Sequence, residues 1–299
     1  MLPALARGRR VATIVAITAA LMMLGQTAQT VPVSLDGSNS EVWLFGAGHT
    51  RWDVDNNAFA CEADLPGYAP VDDGEIGLGT GRTDAFDGGL LLMVGPPTGQ
   101  PDDATTFHDS DSIVDKVGEQ VKAGPELLEG LRVTRLDRVL PKTPTMRTLV
   151  ALRNTTGSAK ARDIYLDSDL GSDSNTEIRG SSNGSATLLA TTRWAVTSDS
   201  ATDPGDPVVT HVLWGKKAPR RTTEVLESPS GANTCMVIRM RIRVPRKSVR
   251  YLLFFAEMTP TNIAGVNGAG KFNKRKLNKA LLAGIGKKVR GRILNWKLT

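Results

Sequence analysis

Two segments gather oxygen ligands of the kind that hard cations bind in sets of six to eight. In Asp53-Val54-Asp55-Asn56-Asn57, the side chains of Asp53, Asp55 and Asn57 fall at positions one, three and five of a calcium-loop count, and Asp64 falls at position twelve. Ala58 stands where such a loop turns on glycine, and Asp64 is shorter than the glutamate that usually closes it. The second segment, residues 167–177, offers Asp167, Asp169 and Asp173 but has no glycine six positions along from any of them. Calcium is the one ion these segments suggest. The competing reading is turn chemistry, in which Asp and Asn side chains satisfy their own backbone. No organic-cofactor motif occurs, and no phosphate-binding glycine loop or zinc-binding histidine pair is present.

Acid–base and triad chemistry usually uses a histidine, and the chain has three: His49, His108 and His211. None neighbours a serine elbow or another recognisable nucleophile. A carbohydrate-active site could be assembled from His211 with Glu224 or Glu257, although a chain of this size offers many such pairs. Cys61 and Cys235 are the two cysteines, and an isolated pair in an oxidising compartment is expected to form a disulfide.

The compartment follows from the first residues. Arg7, Arg9 and Arg10 precede an almost wholly apolar run, residues 11–24, which is followed by small and polar residues. That run is shorter than the roughly 20 residues needed to span a bilayer. The plan is that of a cleavable signal peptide over residues 1–30, with cleavage at Val31 or after Ala28. The alternative is a retained N-terminal anchor. With the signal removed, no transmembrane span is expected in the remainder.

Charge is distributed unevenly. The chain carries 37 Lys and Arg against 31 Asp and Glu, a net +6. Residues 1–30 account for +3 and residues 271–299 for +10, so residues 31–270 carry −7. An acidic body excludes a general nucleic-acid-binding role, whatever the overall isoelectric point. An anionic surface would be met by the tail, through Lys274, Arg275, Lys276, Lys279, Lys287 and Lys288.

The elements that must position these groups read as strands. Val, Thr and Ile recur in short runs between clusters of Gly, Asp, Asn, Ser and Pro. Strands are predicted at 41–46, 89–94, 131–139, 146–153, 161–166, 186–197, 208–214, 224–226, 235–244 and 248–257. The runs 131–139 and 146–153 are expected to form one hairpin. The run 235–244 and its return over 248–257 are expected to form another, across Pro245-Arg246-Lys247. Residues 47–82 read as extended loop with at most one short strand. Trp43, Trp194 and Trp214 are assigned to the core and Trp52 to the surface. In the tail, Leu277, Leu281, Leu282 and Ile285 predict a helix over 272–284 and a shorter one over 286–294. The expectation is an all-β, large antiparallel β-sandwich of supersandwich type over 31–270. A basic helical segment over 271–299 packs on it, and the chain is taken as a monomer.

Several segments resemble an uncharacterised domain of secreted bacterial proteins, chiefly actinobacterial. They are Gly81-Arg82-Thr83-Asp84-Ala85-Phe86-Asp87-Gly88, Arg147-Thr148-Leu149-Val150 with Arg153-Asn154-Thr155-Thr156-Gly157, Asp169-Leu170-Gly171-Ser172-Asp173-Ser174, Arg193-Trp194-Ala195-Val196-Thr197 and Ile293-Leu294-Asn295-Trp296. The arrangement also looks, at fold level, like the galactose-mutarotase-like and polysaccharide-lyase sandwiches. The resemblance implies an exported β-sandwich and carries over no catalytic residue. The function expected on this basis is a secreted, non-catalytic protein that binds glycan or an anionic envelope polymer. The alternatives are a carbohydrate-active enzyme and a purely structural envelope protein.

Overall fold

The computed structural model describes residues 31–34, 42–59, 61, 66–69, 73–77, 82–107, 113–171, 175–231 and 233–298. The signal-peptide reading over 1–30, His108, Asp64 and Asp173 lie outside the described residues.

Eighteen strands are described. They are β1 (Val31–Ser34), β2 (Val42–Gly46), β3 (Thr50–Phe59), β4 (Pro66–Ala69), β5 (Gly74–Ile76), β6 (Gly88–Gly95), β7 (Thr105–Thr106), β8 (Ile113–Lys116) and β9 (Gln120–Leu128) in the first half. The second half holds β10 (Leu131–Val139), β11 (Thr145–Asn154), β12 (Lys160–Asp169), β13 (Glu177–Ser181), β14 (Trp194–Ser198), β15 (Val208–Val212), β16 (Glu224–Glu227), β17 (Met236–Val244) and β18 (Ser248–Thr259). Helix α1 (Asn262–Ala269) and the short α2 (Lys287–Arg290) follow.

A nine-stranded sheet runs β1-β8-β9-β10-β11-β18-β15-β14-β13, and a five-stranded sheet runs β16-β17-β12-β6-β7. Strand pairing within both is antiparallel, as expected of an all-β sandwich. Their inner faces share one core: Leu92 and Val94 of β6, Ile164 and Leu166 of β12 and Ile238, Met240 and Ile242 of β17 meet Val133, Val150, Leu252 and Phe254 of the large sheet. A third group, β2-β3-β4 with β5 on β3, adds Leu44, Trp52 and Val54 to the same core.

The expected hairpin of residues 235–257 does not form. β17 pairs with β12 and β16, whereas β18 pairs with β11 and β15, so the two strands lie in opposite sheets. Both alternate apolar and polar because both line the same core, and alternation does not say which sheet a strand joins. The turn 245–247 is an arch between sheets, and residues 155–159 make a second arch beside it between β11 and β12. Buried Asn154 stitches the two, its Nδ2 donating to Ser158 O (2.7 Å) and Val244 O (3.1 Å), while Lys247 N donates to Thr156 O. The hairpin of β10 and β11 forms as expected.

Three further expectations are corrected. Ten-residue β3 occupies what reads as loop, and its period of two places Trp52 in the core, fully buried, with Trp43 on the other face beneath the Arg51 guanidinium. Residues 186–193 are turns, because Ser185, Asn183 and Thr192 side chains accept from nearby backbone N–H groups that a strand would have used. The helix over 272–284 is absent. Residues 278–285 instead form successive i→i−3 turns. Gly284 adopts φ +78°, and the carbonyls of Leu281, Leu282, Ala283 and Ile285 are taken by Arg147 and Arg290.

The expected shorter helix over 286–294 forms as α2 over Lys287–Arg290, and the longer helix, α1, begins nine residues before the expected tail boundary. Its cap is Thr261, whose hydroxyl accepts from Ala264 N. Gly265 and Gly268 hide it from a propensity reading. Gly265 is needed, because a Cβ there would come within 2.9 Å of Val196, and this lets the helix lie close on the sheet.

The tail covers the outer face of the large sheet. Phe272, Leu277, Leu281, Leu282, Ile285 and Trp296 are buried against Val196, Val208, Leu253 and Phe255. Each such side chain contributes roughly 2 kcal/mol of apolar burial. β18 is therefore covered on both faces, which accounts for the unbroken apolar run Leu252 to Ala256. β15 pairs only with the Phe255–Thr259 end of this strand. Beside the Tyr251–Leu253 stretch lies the end of the chain: Tyr251 N donates to Arg292 O, Leu294 N to Tyr251 O, and buried Asn295 bonds both N and O of Leu253.

Candidate anion-binding site

The outer face of the five-stranded sheet is not covered by the tail. Along β17, Arg239, Arg241 and Arg243 point outward because Ile238, Met240, Ile242 and Val244 point into the core. On neighbouring β12 they stand opposite Tyr165, Asp163 and Ala161 respectively. Arg239 is ion-paired with Glu224 of β16 and donates to Gly99 O. Arg241 grips Asp163 with two hydrogen bonds of 2.8 Å. Burial pushes the Asp163 carboxyl up, but the hydrogen bonds from Arg241 and Thr98 N outweigh it and hold the group below the usual carboxylate range. The same bond raises the Arg241 guanidinium above its ordinary value.

Arg243 breaks this pattern. Its cross-strand neighbour is Ala161, which offers no charge. The loop between β15 and β16 adds Arg220 and Arg221 beside it. That loop is held by Arg220 N donating to Leu294 O (2.9 Å) and by Thr223, whose N and Oγ1 both donate to Arg239 O. The result is an open groove of about 490 Å³, with Ala161 and Pro219 among its walls and Arg220, Arg221, Arg241 and Arg243 around it. No acidic side chain among the described residues lines it. Arg220, Arg221 and Arg243 are exposed, and their guanidinium groups have no ion-pair partner among the described residues. Guanidinium forks of this kind match carboxylate, phosphate and sulfate groups with paired hydrogen bonds.

The acids nearest this charge, Asp163, Glu224 and Glu129, are engaged by Arg241, Arg239 and Arg162, and other acids of the body lie at the far end of β12. β12 carries Lys160 at one end and Asp167 and Asp169 at the other, about 30 Å apart at strand rise. Asp84 and Asp87 sit at the acidic end, where Asp87 N donates to Asp169 O. That distance is about three Debye lengths at moderate salt, so the two ends act independently.

Compared with known protein families and curated proteins, the chain matches none.

The sequence-predicted residues fall elsewhere. Cys61 and Cys235 form the expected disulfide, with Cα atoms 5.8 Å apart. Asp169 lies beside it, and these three groups are the one set of potential metal ligands that converges among the described residues. Disulfide sulfurs have no thiolate to offer, and Asp169 Oδ1 accepts from Thr234 Oγ1 at 2.6 Å. Asp167 is fully buried and accepts from Cys61 N. Asp53, Asp55 and Asn57 lie along β3. Alternate residues of a strand are about 7 Å apart, so this stretch does not wrap around a point as a calcium loop does. Beside it, burial pushes the Asp73 carboxyl up to about 6, with a backbone hydrogen bond from Gly74 N opposing the rise.

His49 is an exposed residue of the β2–β3 turn, at φ 56°. His211 is fully buried in β15, with Nε2 2.8 Å from Thr197 Oγ1 and its ring edge-on to Phe86. It is paired with Ala256, whereas Glu257 is paired with Thr210 and faces the other side of the sheet. Glu257 is bound there to Thr145 and Lys271, and Glu224 belongs to Arg239. Neither glutamate shares a site with His211. The tail cations Lys274, Arg275, Lys276 and Lys279, and Lys287 and Lys288 of α2, are all exposed.

Burial lowers the His211 pKa to about 3, so the ring is neutral in the fold. Its ordinary value is 6.5, so between pH 3 and 6.5 the unfolded chain binds the extra proton. Stability from this residue is complete above pH 6.5 and declines as pH falls toward 3. His211→Gln is expected to flatten the fall in urea midpoint between pH 6.5 and 4. An unchanged acid limb would show that His211 does not drive it.

No sequence rule would have selected the groove. Arg243 is one of many arginines, and its lack of a partner depends on Ala161 in a strand some eighty residues earlier.

Proposed function

We propose that this protein is an exported β-sandwich that binds an acidic polymer of the cell envelope through the arginine groove. The observation that carries the reading is the set of three guanidinium groups, Arg220, Arg221 and Arg243, with neither an ion-pair partner nor an acidic neighbour in the open groove among the described residues. The groove replaces the tail as the favoured contact, because Arg220, Arg221 and Arg243 border one groove. The disulfide supports an oxidising compartment. No helix among the described residues is long and apolar enough to cross a membrane. N-terminal sequencing of the protein recovered from its producing cell tests the export. A mature start near Val31 is expected, and an intact Met1 would overturn it.

Binding is tested with polygalacturonate, a polyglycerolphosphate and neutral dextran. Both acidic polymers are expected to bind, and the stronger of the two identifies carboxylate or phosphate as the preferred group. Affinity should fall by about tenfold or more between about 50 and 200 mM salt, as counterion-linked binding does. The triple variant Arg220→Gln, Arg221→Gln, Arg243→Gln should retain its melting temperature and lose about tenfold or more in affinity, since each removes a charge-assisted contact. Equal binding of dextran, or parental affinity in the triple variant, would sink the proposal.

A further inference from the structure

A second basic groove opens on the outer face of the nine-stranded sheet, and the end of the chain runs between it and the first. It measures about 350 Å³ and is bordered by Arg153, Lys247 and Arg292, with no acidic lining among the described residues. Arg153 is the last residue but one of β11, and its cross-strand neighbour on β10 is another cation, Arg132. Lys247 sits at φ 48° in the arch between β17 and β18, and its side chain is exposed. The three side chains are exposed, and none has an ion-pair partner among the described residues.

The distance between the grooves follows from the backbone. Arg292 borders one and Arg220 the other. Tyr251 N binds Arg292 O, Leu294 N binds Tyr251 O, and Arg220 N binds Leu294 O. Arg292 and Leu294 are two residues apart, which is at most about 7 Å of chain. A hydrogen-bonded crossing to Arg220 adds about 5 Å. The two arginine backbones therefore lie within about 12 Å, closer than two flexible side chains together can reach.

We infer that the ligand is a linear polyanion of several repeat units, one acidic group held in the Arg220–Arg221–Arg243 groove and another in the Arg153–Lys247–Arg292 groove. This rests on the anion-binding reading above and adds the length of the ligand to it. A chain that fills both grooves gains the second contact without a second loss of translational freedom, so affinity should step upward once the ligand is long enough.

The test uses galacturonate oligomers and linear polyphosphates of graded length, titrated calorimetrically into the folded protein. In at least one series, the expected result is a rise on the order of tenfold or more in affinity per ligand at the bridging length, followed by a plateau. In the variant Arg153→Gln, Lys247→Asn, Arg292→Gln, short oligomers should bind as they do to the parent, and the step should vanish. Asparagine is chosen at 247 because it accepts the left-handed conformation there. Affinity that is independent of length in both series overturns the inference and leaves the single groove standing. So does a variant that weakens short and long oligomers alike. Failure of every oligomer to bind overturns the anion-site reading and the inference with it.

Discussion

Asn295→Ala is expected to lower the unfolding free energy by about 3 kcal/mol, because it strands buried backbone groups that water does not reach. Asn295 is fully buried. Its Oδ1 accepts from Leu253 N at 2.8 Å, and its Nδ2 donates to Leu253 O at 2.8 Å and Leu213 O at 2.9 Å. The side chain thus imitates a short piece of partner strand for the stretch of β18 that β15 does not reach. Trp296 completes the seal, its Nε1 donating to Leu253 O at 2.7 Å and its ring lying edge-on to Phe255. The ring rests directly on Gly215, where a Cβ would come within 2.1 Å of it. Loss of Asn295 leaves Leu253 N and Leu213 O buried without partners, and this sets the size of the effect. Urea denaturation with an unchanged slope would measure it. A loss below about 1 kcal/mol would mean that the chain end frays independently of the sandwich.

Removing the disulfide should cost more. Cys61 and Cys235 are 174 residues apart, and closing so long a loop restricts the unfolded chain by up to about 5 kcal/mol on the entropic account. The bridge ties the segment after β3 to the start of β17, where Cys235 N is also held by Asn233 Oδ1 at 2.8 Å. The double variant Cys61→Ala, Cys235→Ala is expected to unfold at a markedly lower urea concentration than the parent, and the reduced parent should behave like the variant. A shift equivalent to less than about 1 kcal/mol would mean that the unfolded chain stays compact enough to make the tether redundant.

The strands most legible in the sequence are those whose two faces differ. β10 reads Leu-Arg-Val-Thr-Arg-Leu-Asp-Arg-Val and its bounds are those the residues predict, but its buried face also carries the Arg135–Asp137 ion pair, which apolar alternation does not foretell. β3 was not legible. Its Asp and Asn residues are those of a loop, and only pairing with β2, β4 and β5 makes it a strand. α1 was hidden by its glycines, and the tail's helical spacing was misleading. Leu277, Leu281 and Ile285 are buried as that spacing demands, yet the carbonyls of this segment serve Arg147, which burial and the nearby Arg138 and Arg290 lower to about 10.

The amino-acid sequence by itself determined an all-β chain, a cysteine pair set to bridge, an acidic body and a basic tail. Each of these depends on composition or on neighbours a few residues apart. The sheet that each strand joins, the burial of His211 away from both glutamates and the exposure of Arg243 opposite Ala161 were decided only in the tertiary structure. Alternation marks a face as apolar but does not name the surface it meets, and a charge is paired or free according to strands far away in the chain. For this reason the calcium candidates and the histidines drew attention in the sequence, while the arginine groove became visible only once β12, β17 and the loop before β16 were side by side.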